Sequence, residues 1–143
     1  MRVLVCGSRT WGREKDSEGN VIRSRAAAQF QRDMIADVLI GYYTDDGALV
    51  VIEGAAPGAD TVAGEWATAM LYDEKHLSYP ADWKRYGKDA GPIRNAQMLD
   101  EGKPDLVVAF IDQPLNESKG TADMVRRSRA AGVPTYVITD EAA

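Results

Sequence analysis

The stretch ALVVIEGAAPGAD, residues 48–60, decides the fold. Ala48 to Ile52 is a short apolar run, β-branched at its centre, the pattern of a strand buried on both faces. Pro57-Gly58 turns the chain at once into a segment where Val62, Trp66 and Met70 recur at helical spacing. A strand joined so tightly to a helix is the first half of a parallel crossover unit, so the rest of the chain is read for more of them.

Upstream, Arg2 to Cys6 is a second apolar strand ending at Gly7-Ser8-Arg9. A polar segment from Gly12 to Arg23 follows and reads as a mobile surface loop or flap. A helix is expected from about Ser24, with Ala27, Phe30, Met34, Val38 and Tyr42 as its apolar stripe. Downstream, Lys75 to Tyr79 is a weaker strand stopped by Pro80, and Ile93 to Leu99 has helical spacing after Gly91-Pro92. Asp105 to Ile111 is the clearest strand of the second half. The helix Ser118 to Ala131 ends where Gly132 supplies a left-handed cap and Pro134 prevents continuation, and Val133 to Ile138 closes the series. Strands alternating with helices give a Rossmann-like, doubly wound parallel α/β sheet, here five strands in the order 3-2-1-4-5. The whole chain, 1–143, is expected to form one domain.

Composition narrows the function classes. A net charge of −5 opposes the broad phosphate contact that non-specific nucleic-acid binders need, so any anion site must be local. Cys6 is the single cysteine, so no internal disulfide forms, and no apolar run approaches a membrane span. The amino terminus opens directly into a strand without a leader pattern, and a reducing cytoplasm is the expected location. His76 has no histidine or cysteine partner, so a metal site has no support, and no cofactor is expected.

In this topology the connections of strands 1 and 4 leave in opposite directions and open a crevice at their carboxyl ends. Three small-residue turns should converge there: Gly7-Ser8-Arg9, Gly54 to Asp60, and Ser118-Lys119-Gly120-Thr121. The last combines glycine, a cation and two hydroxyls at a helix amino terminus, which suits phosphate, although Ser118 or Thr121 can equally cap the helix. Asp60 either caps its helix or holds a ribose hydroxyl. Arg94-Asn95 offers a guanidinium fork and an amide, and Arg9 another guanidinium. Trp11, Trp83 and Tyr86 can stack on a base or simply pack; Trp66, on a helical stripe, reads as core.

Taken together, Gly7-Ser8-Arg9 with Trp11, Glu53 to Asp60, Pro80-Ala81-Asp82-Trp83, Gly91 to Asn95 and Lys119-Gly120-Thr121 resemble the SLOG superfamily, most closely its YspA-like branch. The resemblance runs through nearly the whole chain and implies a Rossmann-like fold with a nucleotide-type ligand. It places Gly7, Ser8 and Arg9 on one side of that ligand, Gly54, Gly58 and Asp60 beneath it, Arg94 and Asn95 beside it, and Gly120 and Thr121 at its phosphate. The superfamily includes LOG enzymes, which cleave nucleoside monophosphates, the DNA-processing protein DprA, and sensors of ADP-ribose-like signals. LOG enzymes carry a glutamate three positions after the threonine of their Gly-Thr pair; this chain has Met124 there, and Glu117-Ser118-Lys119 in place of the preceding double glycine.

Three functions follow, in this order: binding of a nucleotide or ADP-ribose-like small molecule, LOG-like hydrolysis of a glycosidic bond, and DprA-like DNA binding. Binding needs only the crevice and its donors. Hydrolysis needs a carboxylate, for which Asp60, Asp82 and Asp123 are the candidates. DNA binding is disfavoured by the acidic balance, no membrane partner is expected, and the superfamily makes a homodimer plausible.

Overall fold

A computed structural model describes residues 1–141. Five strands, β1 (Arg2–Gly7), β2 (Val50–Glu53), β3 (His76–Ser78), β4 (Leu106–Ile111) and β5 (Thr135–Thr139), form one parallel sheet in the order β3-β2-β1-β4-β5. This is the expected architecture. The helices are α1 (Arg25–Tyr42), α2 (Ala59–Met70), α3 (Trp83–Tyr86), α4 (Ala90–Gly102) and α5 (Lys119–Ala130).

Successive residues of β1 feed two separate cores, which is why the strand is apolar throughout rather than alternating. Val3 and Val5 join Val51, Val108 and Phe110 against α1 and α2, while Leu4 and Cys6 join Ile52, Val107 and Ala109 against Met98 of α4 and Met124 of α5. Helices therefore cover both faces of the sheet, and its carboxyl-terminal edge carries the turns.

The buried face of α1 differs from the expected stripe. Ala28, Gln31, Ile35 and Leu39 are buried, whereas Phe30 is 53% exposed, Ala27 and Tyr42 lie at the surface, and Met34 and Val38 only flank the core. Gln31 explains the rotation. Its side-chain oxygen accepts from the Gly12 amide at 2.7 Å and its backbone carbonyl accepts from Trp11 Nε1 at 2.8 Å, so a polar residue holds the helix against the loop that follows β1. Gln31→Leu should therefore cost about 1–3 kcal/mol by leaving the Gly12 amide buried without an acceptor. Urea unfolding of the variant at wild-type stability would refute that role.

On α2 the residues facing the sheet are small, namely Ala59, Ala63 and Ala67 together with Val62. Trp66 is only half-buried, edge-on to Tyr43, and Met70 is exposed, so the large apolar side chains flank the helix contact instead of filling it. Helix α4 begins at Ala90, before the expected Ile93, because Pro92 is tolerated in a first turn where amides lack helical partners. The loop from Gly12 to Arg23 is a tethered hairpin rather than a free flap. Lys15 bridges Val21, and the Arg23 guanidinium binds the Thr10 and Arg13 carbonyls and, at 2.8 Å, Asp112.

Candidate functional site

A cleft of about 260 Å³ lies at the carboxyl ends of β1 and β4. Gly7 and Arg9 reach it from β1, Asp60 from the first turn of α2, Arg94 and Asn95 from α4, and Ser118, Lys119, Gly120 and Thr121 from the start of α5. The Cys6 thiol is at its inner end, and burial raises its pKa far above the ordinary thiol range, which makes it inert. Thr10, Ala56, Gln113 and Glu117 also line the cleft. Ala56 and Glu117 stand in stretches quoted from the sequence but were not assigned to the ligand, and Thr10 and Gln113 stand in none; their position next to the converging turns is the signal that could have found them.

The amino end of α5 is open. Among the described residues no side chain caps it, and no acidic residue lies in its first turn, while Ser118 Oγ is turned to Thr121 Oγ1 at 3.0 Å. The leading amides thus retain their partial positive charge beside Lys119.

Arg94 is only 8% exposed. Its Nε donates to Asn95 Oδ1 at 2.9 Å and its Nη1 to the Gly54 carbonyl, and among the described residues its Nη2 has no hydrogen-bond partner. Asn95 in turn donates to the Gly120 carbonyl at 3.1 Å and to Asp123 at 3.0 Å, which ties α4 to the first turn of α5.

The three candidate carboxylates have separate fates. Asp123 lies outside the cleft, braced by Asn95, Arg126 and Arg127; burial opposes its ionisation, but the bonds from Asn95 and Arg127 outweigh it and hold the carboxyl below its usual range. It is a support for Asn95. Asp82 also stands outside and caps α3, accepting from the Arg85 amide at 3.1 Å. Asp60 alone faces the cleft. Burial, with help from Glu53, pushes its pKa up to about 7 against the opposing pull of the Ala56 amide and Arg94.

Several other expected ligand residues serve the frame. Trp11 is 0% exposed, tilted on Phe110 with ring centroids 5.5 Å apart, and so cannot stack on a ligand. Ser8 is buried, its hydroxyl accepting from the Asp112 amide at 3.1 Å and its carbonyl from the Trp11 and Ala59 amides. Gly58 starts α2 directly beneath the backbone of Ser8 and Arg9. Met124 is buried in the core under the sheet, away from the cleft. Gly54 lines a second cavity of about 230 Å³, which shares Arg9, Ala56 and Arg94 with the first. Tyr86 lines neither and carries Arg85 on its ring.

Fold and cleft together define a Rossmann-like α/β protein whose open helix terminus and buried arginine meet at the sheet's switch point. The chain belongs to the YspA, cpYpsA-related SLOG family (YAcAr), whose profile matches residues 1–86. Membership connects it with nucleotide-related ligands, to be bound or processed. It is 34% identical to the Gene 61 protein of Mycobacterium phage D29 over 143 residues, 98% of each chain. No solved structure matches significantly. Among the described residues no helix is long and apolar enough to cross a membrane.

Proposed function

We propose that residues 1–143 form one nucleotide-binding domain, and that the cleft binds a nucleotide or ADP-ribose-like small molecule through its phosphate. The observation that carries this reading is the uncapped amino end of α5 opposite Arg9 and the unpartnered Nη2 of buried Arg94, all on one cleft. Amide dipoles and guanidinium groups converging on a small volume create a local anion site in a chain of net charge −5. Arg9 is the side chain to remove, because Arg94 also supports Gly54 and Asn95. Arg9→Ala should weaken binding of adenosine 5′-monophosphate (AMP) by about 1.5–3 kcal/mol in titration calorimetry, as expected for a charge-assisted hydrogen bond. Unchanged affinity would take Arg9 out of the site, and failure of wild-type protein to bind any phosphorylated nucleoside would sink the reading.

One observation favours hydrolysis of a bound nucleotide as the second reading. Asp60 faces the cleft with a pKa of about 7, matched to proton transfer near neutrality. It would supply the carboxylate that Met124 does not.

A further inference from the structure

The second cavity adjoins the anion cleft, sharing Arg9, Ala56 and Arg94 with it, and its chemistry is different. Ala55 and Pro57 line one part and Pro80, Ala81 and Trp83 another, so apart from the two shared arginines its side chains are apolar. Trp83, the largest side chain present, is 49% exposed, whereas tryptophan is highly buried on average. Its ring edge lies over Gly91 at the start of α4, where even a methyl would stand 3.5 Å from Cη2. The Arg9 guanidinium sits 5.8 Å from the ring centroid.

We infer that this cavity is a subsite for a flat aromatic ring, the nucleobase of a ligand whose phosphate occupies the neighbouring cleft. The inference rests on the phosphate reading above and adds an orientation to it. A cation over an exposed indole is a weaker pairing than a base stacked on one. Arg9 therefore has two partners within reach, the Trp83 indole and a phosphate in the cleft, and its movement toward the phosphate frees the ring for the base. The apolar walls give little hydrogen-bonding capacity for telling bases apart, so the subsite selects for a planar ring rather than for one sequence of donors and acceptors.

The test titrates the protein with AMP, ribose 5-phosphate and adenosine, following tryptophan emission and heat. AMP should quench Trp83 and bind at least about fivefold more tightly than ribose 5-phosphate. Trp83→Ala should remove that advantage and leave ribose 5-phosphate binding unchanged, while Trp83→Phe should keep the affinity and lose the quench, since the remaining Trp11 and Trp66 do not line this cavity. Equal affinity of wild-type protein for AMP and ribose 5-phosphate overturns the base subsite and leaves the phosphate site standing. Equal weakening of both ligands by Trp83→Ala makes the indole a structural prop and also overturns it. Adenosine quenching without any binding of ribose 5-phosphate supports the base subsite and removes the phosphate reading; silence from all three compounds removes both.

Discussion

Gly58→Ala is expected to lose about 3–5 kcal/mol of stability, a large part of what holds a domain of this size together. Gly58 has φ +85, and an added Cβ would stand 2.2 Å from the Ser8 carbonyl oxygen and 2.5 Å from the Arg9 carbonyl carbon. Both are backbone atoms, so no rotamer change relieves the clash. Relief requires either the β1 turn or the start of α2 to move, and the first of these carries Arg9. Gly120→Ala is the control, since nothing lies within 4 Å of a methyl there and the position is helical. Urea unfolding should separate the two variants widely. A Gly58→Ala protein within about 1 kcal/mol of wild type would mean that the turn is looser than its geometry implies.

Asp60→Asn should abolish most of the pH dependence of stability between about pH 4 and pH 7. The folded protein holds the Asp60 proton up to a pH of about 7, whereas an unfolded chain releases it near its ordinary value of 3.8. Between those values the folded state binds more protons, so stability falls as pH rises, by as much as roughly 4 kcal/mol above the window. Asparagine preserves the acceptor for the Ala56 amide without the buried charge, and the variant should be the more stable protein at pH 8. Identical pH profiles for the two proteins would show that the carboxyl is already ionised when folded. The same variant sorts the two functional readings. If wild-type protein releases free base from AMP, Asp60→Asn should lose that rate while AMP still binds; if no base is released, Asp60 sets the electrostatics of a binding site.

The fold was legible because β1, β2 and β4 hold apolar runs bounded by glycine, proline or charge, and a chain of alternating strands and helices has few topologies open to it. The face of α1 was not. Ala27, Phe30, Met34, Val38 and Tyr42 are as periodic as Ala28, Gln31, Ile35 and Leu39, and the winning set contains a glutamine whose value lies in contacts with residues twenty positions away. Spacing cannot weigh such a contact. The same limit applies around the cleft, where the turns were visible as glycine and small residues but the division of labour was not. Trp11 and Trp83 look alike in sequence, yet one is sealed against Phe110 and the other stands half exposed beside Arg9. Asp60, Asp82 and Asp123 are equally plausible acids until burial and hydrogen-bond partners separate them.

The central position of β1 also fixes a schedule. Val3 pairs with Val51 on one side and with Leu106 on the other, so the first strand of this sheet in chain order acquires its second neighbour about a hundred residues later. At ribosomal rates of about 5–20 residues per second, β1 waits roughly 5–20 s for β4, and through about the second half of that time β2 is available to close one edge while the other stays open. Contacts so distant along the chain also slow folding from the denatured state, because the loop must close before the pairing rewards it. The cleft, which lies at the carboxyl ends of β1 and β4 and takes part of its lining from the start of α5, is therefore completed only late in synthesis.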